Sequence, residues 1–303
     1  MKNDVMLIVN PVSGKGQYSS ALHHVLRELA GAGHAATVYF TTKAGDANEY
    51  ARLYAPDYDM LLCLGGDGTV SGAIDGLMRT KNPPPMGYIP IGTANDMASN
   101  FKLDRNPEKA VRSILRGKEH LIDVGRFNDR HFAYIAAFGA FTDVAYSTPQ
   151  SNKNMLGHLA YVLEGLADLP KISAVHAVVE HDGGREEGRY IFGAVVNSMS
   201  VAGMVKLDKV DVGLSDGYFE AMLIKEPKKI TDTNSILRGI LRQDYDPEHI
   251  TFIHTRKINF SFDESVSWTL DGEDGGSWQY AEAENLHKAI KLIVPEGFRS
   301  DDG

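Results

Sequence analysis

The chain has 303 residues, of which 43% are hydrophobic and 23% are charged. This composition is typical of a globular protein, and the length exceeds what one hydrophobic core usually serves, so we expect two domains. A formal net charge of −9 argues against a nucleic-acid partner, which normally requires a basic face. No apolar run approaches the roughly 20 residues that span a bilayer. The single Cys63 cannot form an internal disulfide, so we expect a cytoplasmic location.

In the first part of the chain, up to about residue 128, short apolar runs alternate with helical patterns. The predicted strands are Val5–Asn10, Ala36–Thr41, Met60–Leu64, Met86–Ile89 and Leu121–Gly125. The predicted helices are Tyr18–Ala32, Asp46–Ala55, Val70–Thr80 and Asn106–Arg116. Strands that alternate with helices indicate a parallel sheet with helical crossovers, so residues 1–128 are expected to form an α/β domain.

From about residue 129 onward, short β-like runs bounded by turn residues dominate. The predicted strands are Ala174–Glu180, Arg189–Asn197, Tyr218–Ile224, Lys257–Phe262 and Ser267–Leu270, with a hairpin turn at 182–184. Helical patterns remain at Leu156–Ala167 and Ile230–Leu241. These patterns predict that an antiparallel β-sandwich-like second domain, residues 129–289, follows the α/β domain.

The most informative motif is Gly65-Gly66-Asp67-Gly68-Thr69, which lies between a predicted strand and a predicted helix. Its glycines let the backbone approach a ligand closely because no Cβ intervenes. A helix that begins after such a turn offers free N–H groups and a positive dipole end to phosphate. The aspartate would repel polyphosphate unless a divalent cation lies between them. The motif therefore predicts a Mg²⁺–nucleotide site, although Gly-Asp-Gly is also common in ordinary hairpin turns.

Two further loops follow predicted strands and are rich in Gly, Ser, Thr and Asn. The first loop comprises Asn10, Pro11, Val12, Ser13 and Gly14, and the other runs from Pro90 to Asp96 and includes Thr93 and Asn95. The carboxyl ends of parallel strands lie at one edge of a sheet, where such sheets bind ligands. We therefore expect a parallel nucleotide-binding sheet whose loops hold phosphate through backbone N–H groups and through the hydroxyls of Ser13 and Thr69.

Together, the three loops resemble the diacylglycerol kinase catalytic family, which includes bacterial soluble lipid kinases and their sphingosine and ceramide kinase relatives. Further motifs of this family follow in the same order: Ile122–Gly125, Leu156–Tyr161, Val196-Asn197, Leu214–Gly217 and Leu270–Glu273. The resemblance implies an ATP- and Mg²⁺-dependent kinase that phosphorylates a hydroxyl of diacylglycerol or a related lipid alcohol. It also implies that the lipid enters the second domain and that a C-terminal strand near 290–303 packs back onto the first.

The resemblance implies roles for individual residues as well. Thr41, Thr93 and Asn95 would contact the nucleotide, and the family's second metal site would use Asp216 with the carbonyls of Gly213 and Tyr218. Asp67, Asp96 and Asp123 would organise Mg²⁺ through water, since Mg²⁺ takes few direct carboxylates. Alone, Thr41 could simply end a strand, Asp96 could cap a helix and Asp123 could cap a strand end.

The catalytic base should be a carboxylate near the lipid hydroxyl. Leu270-Asp271-Gly272-Glu273 offers two carboxylates on either side of a glycine, where the backbone can turn both inward. On its own, Asp-Gly at this point is also a common hairpin turn. In the family context Glu273 is expected to be the base and Asp271 its close partner, acting directly or through Mg²⁺, and the two assignments can be exchanged.

One departure from the family pattern lies just after the glycine turn. The family usually has Asn and then Glu there, whereas this chain has Ser71 and Gly72. If the missing carboxylate helps to hold metal or ribose, nucleotide affinity is lower or the substrate differs. Two alternatives to a lipid kinase therefore stay open: an NAD kinase-like enzyme, which shares the glycine turn, and a non-catalytic lipid-binding or regulatory protein.

Partners follow from the substrate class. A lipid substrate implies transient contact with a membrane surface, and three basic clusters are candidates: Lys225 to Lys229, Lys206 with Lys209, and Arg238 with Arg242 at one-turn spacing. Each cluster is also what an ordinary solvated face carries. A homodimer stays open as a further partner, and nucleic acid is not expected.

Overall fold

We describe a computed structural model of the chain. It describes residues 4–16, 18–93, 95–139, 173–197, 200–201, 205–206, 215–242 and 244–298. The predicted helix Leu156–Ala167 and Gly213 of the predicted second metal site lie outside these residues. The chain divides into two compact units, one formed by residues 1–123 with 288–303 and the other by residues 124–287.

The first unit is built on parallel strand pairs. Its strands are β1 (Asp4–Val9), β2 (Ala35–Phe40), β3 (Met60–Gly65) and β4 (Met86–Pro90). Strand β1 pairs in parallel with β2 and with β3, and β3 pairs in parallel with β4. Strands β3 and β4 are buried along their whole length, which explains their continuous apolar sequences.

Five helices accompany these strands in the described part of the first unit. They are α1 (Tyr18–Gly31), α2 (Asp46–Tyr54), α3 (Asp67–Met78), α4 (Asp96–Asn100) and α5 (Pro107–Arg116). Helix α5 begins after Asn106, whose side chain accepts the N–H of Lys109 at 3.1 Å. Helix α3 begins three residues earlier than the predicted Val70, so Asp67 and Gly68 belong to its first turn. The short helix α4 was not predicted.

The second unit is dominated by antiparallel pairing. Strand β5 (Lys118–Phe127) crosses the boundary between the two units. The described strands that follow it are β6 (Arg130–Phe132), β7 (Ile135–Gly139), β8 (Val175–His181), β9 (Gly184–Val196), β10 (Ser200–Val201), β11 (Val205–Lys206), β12 (Phe219–Lys225), β13 (Ile250–Thr255), β14 (Lys257–Leu270) and β15 (Glu273–Val294). One helix, α6 (Ile230–Arg242), is described in this unit. The predicted hairpin turn at 182–184 joins β8 to β9.

The pairing of strands in the second unit differs from that of the predicted β-sandwich-like domain. Strands β9 and β14 are long enough to pair with both β7 and β8, so the main described strands are linked into one antiparallel sheet. Apolar clusters lie on both faces of β7, because Ala136 belongs to one cluster and Ile135 to the other. The two predicted strands within 257–270 are one strand with an irregular register between Ser261 and Val266.

Strand β15 was largely missed by the sequence analysis. It runs over 22 residues, and its end returns to the first unit, where Leu292 lies opposite Met86 of β4 in parallel register. Its middle carries charged and polar residues on the exposed face, so the apolar alternation that predicts a strand is weak there.

Candidate active site

The first loop and the glycine turn are joined by a direct hydrogen bond. Asn10 Nδ2 donates to Thr69 Oγ1 at 3.0 Å, while Asn10 Oδ1 accepts the N–H of Val12 at 3.1 Å. The side chain of Asn10 therefore fixes both the start of its own loop and the first turn of α3. Sequence motifs predicted that these loops lie together, and the structure brings them into contact.

Glycines allow the third loop to approach the same point. A Cβ on Gly66 would lie 3.3 Å from Gly92 Cα, and a Cβ on Gly92 would lie 2.6 Å from Gly66 Cα. Gly14 has a φ of +69°, and a Cβ there would lie 2.6 Å from the carbonyl oxygen of Ile91. All three loops thus meet backbone to backbone, and a side chain at any of these glycines would push them apart.

The N-terminus of α3 lies where these loops meet. Gly66 is its N-cap and supplies no side-chain hydrogen bond, and Gly68 is exposed in the first turn. The helix therefore begins without a side-chain cap, which leaves its N-terminal N–H groups and its positive dipole end to be complemented by an anion. We call this meeting point of 10–14, 65–69 and 90–96 the phosphate cradle.

Asp67 lies inside the cradle. Its Oδ2 accepts the N–H of Asn95 at 2.7 Å, and its buried Oδ1 has no hydrogen-bond partner among the described residues. Burial and then the neighbouring Asp96 raise the pKa of Asp67 to about 6. Two adjacent acids with an unsatisfied buried oxygen suit a divalent cation, since its charge offsets both the repulsion and the burial cost.

Asn95 shapes the third loop from within. Its side chain is 3% exposed, donates to the carbonyl of Gly92 at 2.8 Å and accepts the hydroxyl of Tyr88 at 3.1 Å. Its φ of +55° is one that asparagine tolerates well. The side chain of Asn95 is thus bonded within the protein, whereas Thr93 in the same loop is exposed.

Thr41 follows β2 directly, beside the first loop. Its N–H donates to the carbonyl of Val9 at 2.9 Å, and its side chain is mostly buried. The chain then turns around Asp46, whose Oδ2 accepts the N–H groups of Thr42 at 2.7 Å and Lys43 at 3.0 Å. These bonds, that of Thr42 first, lower the pKa of Asp46. Sequence analysis missed Asp46, although an aspartate four residues after a threonine at a strand end is a recognisable capping signal.

Asp123, the third predicted metal-organising carboxylate, is held by the backbone of β15. It is 1% exposed, and its Oδ1 accepts the N–H of Lys288 at 2.7 Å. This bond ties β5 to β15 within the first unit. Asp96, by contrast, opens α4 and lies close enough to Asp67 to raise its pKa.

In the second unit, Asp271 and Gly272 form the two-residue turn of the β14–β15 hairpin, with φ values of +51° and +83°. The Asp271 carboxylate is 3% exposed and accepts three backbone N–H groups, from Ala133 at 2.7 Å, Tyr134 at 3.0 Å and Ile135 at 3.0 Å. Glu273 is exposed. The expectation that both carboxylates turn inward is wrong, because the turn sends only Asp271 into the protein.

The loop of the predicted second metal site is also held by its own hydrogen bonds. Asp216 Oδ1 accepts the N–H of Tyr218 at 2.9 Å, and the carbonyl of Tyr218 accepts Asn285 Nδ2 at 2.9 Å. Gly217 between them has a φ of +86°. The Asp216 carboxylate and the Tyr218 carbonyl are thus organised around one turn, while Gly213 lies outside the described residues. Asn285 was not identified from the sequence.

Comparison with known proteins identifies the family of the chain. A family model, the diacylglycerol kinase catalytic domain, matches residues 4–127. A diacylglycerol kinase of Bacillus subtilis (strain 168) is 32% identical over 96% of this chain and 96% of its own length. The chain belongs to the diacylglycerol kinase family. A diacylglycerol kinase of Staphylococcus aureus (strain MRSA252) is also 32% identical, over 100% of this chain and 96% of its own length.

Solved structures agree with this family in fold. A crystal structure from Bacillus anthracis str. Sterne aligns with a TM-score of 0.82 at 23% identity and covers 99% of this chain and 98% of its own. A second structure from that organism, of a diacylglycerol kinase, aligns with a TM-score of 0.74 at 21% identity, covering 98% of both chains. The fold is therefore common to this family across most of the length of the chain. None of the described helices is both long and apolar enough to cross a membrane.

The departure from the family pattern lies at the α2–α3 contact. Ser71 is mostly buried, and a Cβ on Gly72 would lie 3.4 Å from the Cβ of Ala47 and 3.7 Å from the N of Asn48. A side chain at position 72 would therefore extend along the first turn of α2, close to the turn that follows Thr41. The space at Gly72 admits a methyl group in ordinary van der Waals contact.

Proposed function

We propose that this member of the diacylglycerol kinase family is an ATP- and Mg²⁺-dependent lipid kinase. It would transfer the γ-phosphate of ATP to a hydroxyl of diacylglycerol or a related lipid alcohol, in phospholipid metabolism. The observation that carries this proposal is the meeting of three glycine-containing loops at the uncapped N-terminus of α3, beside the unsatisfied carboxylate oxygen of Asp67. Relatives named diacylglycerol kinase that match nearly the whole chain support the lipid class.

In this proposal the cradle binds the triphosphate through those backbone N–H groups of the first loop and of the first turn of α3 that are not bonded within the protein. Pro11 has no N–H, and the N–H groups of Val12 and Ser13 are taken up by Asn10. The hydroxyls of Ser13 and Thr93 add further donors, and Thr41 lies beside the nucleotide. Thr69 Oγ1 already accepts a hydrogen bond from Asn10, so its hydroxyl proton is available to a phosphate oxygen. Binding of this kind positions the phosphoryl group and supplies most of what phosphoryl transfer requires.

Asp67 and Asp96 would hold Mg²⁺, directly or through water, and the bound ion neutralises charge on the phosphates. Asp123 would contribute by holding β5 in place, given its bond to the N–H of Lys288. In the second unit, Asp216 and the carbonyl of Tyr218 would hold a structural cation. Carbonyl and carboxylate oxygens on one turn are suitable ligands for a hard cation.

Glu273 is proposed as the general base that takes the proton of the attacking lipid hydroxyl. Its exposure leaves its carboxylate accessible to a substrate. Asp271 would act as a positioning residue, because its three bonds from backbone N–H groups hold the turn on which Glu273 lies. A general base at this position would increase the rate by a factor on the order of 10²–10⁴.

The test is phosphorylation of a lipid panel with labelled ATP and Mg²⁺, followed by mass spectrometry of the products. We expect a phosphomonoester of a lipid alcohol and none when Mg²⁺ is chelated. The Glu273→Gln variant is the matched control, since it should still bind ATP. Phosphorylation of NAD instead would indicate the NAD kinase-like alternative, and ATP binding without turnover on any acceptor would indicate a non-catalytic protein.

A further inference from the structure

Tyr88 places a hydroxyl inside a strand that is otherwise apolar. Strand β4 is buried along its whole length, and Tyr88 is the residue of that strand with a polar side chain. Its ring is fully buried, in a position that a phenylalanine ring would fill as well. A buried hydroxyl costs stability unless it forms a hydrogen bond. The partners of this hydroxyl therefore show what the tyrosine contributes beyond packing.

The hydroxyl of Tyr88 lies at two of the three loops of the phosphate cradle. It donates to Asn95 Oδ1 at 3.1 Å, and the carbonyl oxygen of Gly65 lies 3.5 Å away. A phenol has one proton to donate, so the shorter contact, to Asn95, is the stronger hydrogen bond. Burial, and then the neighbouring charge of Asp67, raises the pKa of Tyr88 well above its usual value. The hydroxyl therefore stays protonated and remains a donor to Asn95.

Asn95 connects Tyr88 to Asp67. Its side chain accepts the hydroxyl of Tyr88 and donates through Nδ2 to the carbonyl of Gly92 at 2.8 Å. Its backbone N–H donates to Asp67 Oδ2 at 2.7 Å. Because the oxygen and the nitrogen of the amide are both bonded, the side chain is fixed. A fixed side chain in turn holds the backbone of Asn95 at its φ of +55°, from which the N–H reaches Asp67.

The orientation of the Asp67 carboxylate depends on this chain of hydrogen bonds. Oδ2 accepts the N–H of Asn95, which leaves the buried Oδ1 without a hydrogen-bond partner among the described residues. A short bond from an N–H to a carboxylate oxygen is strong and fixes the rotation of the carboxylate. Tyr88 therefore sets, through Asn95, the direction in which Oδ1 is presented to the cradle.

We propose that Tyr88 is a positioning residue for the binding of Mg²⁺–ATP. Its hydroxyl holds Asn95, and through Asn95 it holds the carboxylate of Asp67 in the orientation that the metal-bound nucleotide requires. The ring of Tyr88 fills the core, whereas its hydroxyl serves the site. The proposal rests on the proposed function in one respect, since it takes Mg²⁺–ATP as the ligand of the cradle. It does not depend on which acceptor is phosphorylated.

The test is calorimetric titration of ATP binding to the full chain at a series of Mg²⁺ concentrations. Tyr88→Phe removes the hydroxyl and keeps the ring. We expect it to raise the Mg²⁺ concentration needed for half-maximal ATP binding by about tenfold, since loss of a group that supports a metal-organising residue typically costs about 10- to 100-fold. If Tyr88 only packs, the variant lowers the unfolding midpoint and leaves the Mg²⁺ dependence unchanged.

A matched control and a second variant separate this role from packing. Tyr190→Phe removes another buried hydroxyl, one in the second unit that has no hydrogen-bond partner among the described residues, and should leave the Mg²⁺ dependence within about twofold. Asn95→Gly removes the intermediate side chain but keeps the backbone N–H, and glycine adopts the positive φ without strain. In the Asn95→Gly background, Tyr88→Phe should change the Mg²⁺ dependence by less than about twofold, because its effect passes through Asn95.

The outcomes distinguish this proposal from the kinase activity. The positioning role is overturned if Tyr88→Phe binds ATP with the Mg²⁺ dependence of the wild type, or if its effect is equally large in the Asn95→Gly background. If the wild type binds Mg²⁺–ATP and the variants differ as expected, but no lipid is phosphorylated, the proposed function fails and the role of Tyr88 stands. If the wild type does not bind Mg²⁺–ATP, both are overturned.

Discussion

Asp271 and Glu273 differ so sharply in burial that conservative substitutions should separate their roles. In Asp271→Asn the side chain keeps its shape, and asparagine tolerates the φ of +51° as well as aspartate does. The amide oxygen can still accept the two N–H groups that Oδ1 accepts, from Tyr134 and Ile135 at 3.0 Å each. The amide nitrogen, however, replaces Oδ2 and faces the N–H of Ala133, which donates at 2.7 Å in the wild type.

The cost can be worked out from these contacts. One hydrogen bond to a charged acceptor is lost, at about 1.5–3 kcal/mol, and the two retained bonds weaken because the acceptor is no longer charged. We therefore expect Asp271→Asn to lower the free energy of unfolding by about 2–4 kcal/mol. Glu273→Gln changes an exposed side chain and should stay within about 0.5 kcal/mol of the wild type, while kcat falls by on the order of 10²–10⁴.

Urea unfolding followed by circular dichroism measures the first effect, and lipid phosphorylation under saturating ATP measures the second. The reasoning is refuted if Asp271→Asn unfolds within about 0.5 kcal/mol of the wild type yet loses turnover. That outcome would make Asp271 the reacting carboxylate. Full activity in Glu273→Gln would remove Glu273 from the chemistry.

Four further predictions concern the first unit. Asp67→Asn should strongly reduce turnover and change its Mg²⁺ dependence; near wild-type rates at saturating Mg²⁺ would argue against a metal role. Gly66→Val should weaken ATP binding by about tenfold or more by separating the loops, as an ATP titration would measure. Gly72→Ala should stabilise α3 by about 0.5–1 kcal/mol. Gly76→Ala should instead lower the free energy of unfolding by about 1–3 kcal/mol, because its Cβ meets a backbone carbonyl of α2. Equal unfolding midpoints for the two variants would contradict this contrast. Cys63 is fully buried, and burial raises the pKa of its thiol. A thiol reagent should therefore label Cys63 only as the protein unfolds. Rapid labelling of the native protein would count against the burial.

Local sequence patterns were sufficient for much of the first unit. Continuous apolar runs such as Met60–Leu64 predict buried strands, and the glycine turn predicts a strand-to-helix junction because backbone freedom and dipole are local properties. Family motifs, in their order along the chain, were sufficient to identify the family. The start of α3 was placed too late because Gly68 in its first turn has low helix propensity, and the structure overrides that preference.

The functions of the acidic side chains depended on contacts between distant parts of the chain. Asp67 reaches Asn95 across 28 residues, Asp271 reaches Ala133 across 138, and Asp123 reaches Lys288 across 165. Such pairings are set by packing and carry no local signal, so residue type alone could not distinguish a carboxylate that holds backbone from one that is accessible to a ligand. The sequence by itself determined which chemistry this chain can perform, because glycine freedom and carboxylate charge are properties of the residues. The tertiary structure alone decided which carboxylates are accessible to perform it, because burial and hydrogen bonding depend on what packs against each group.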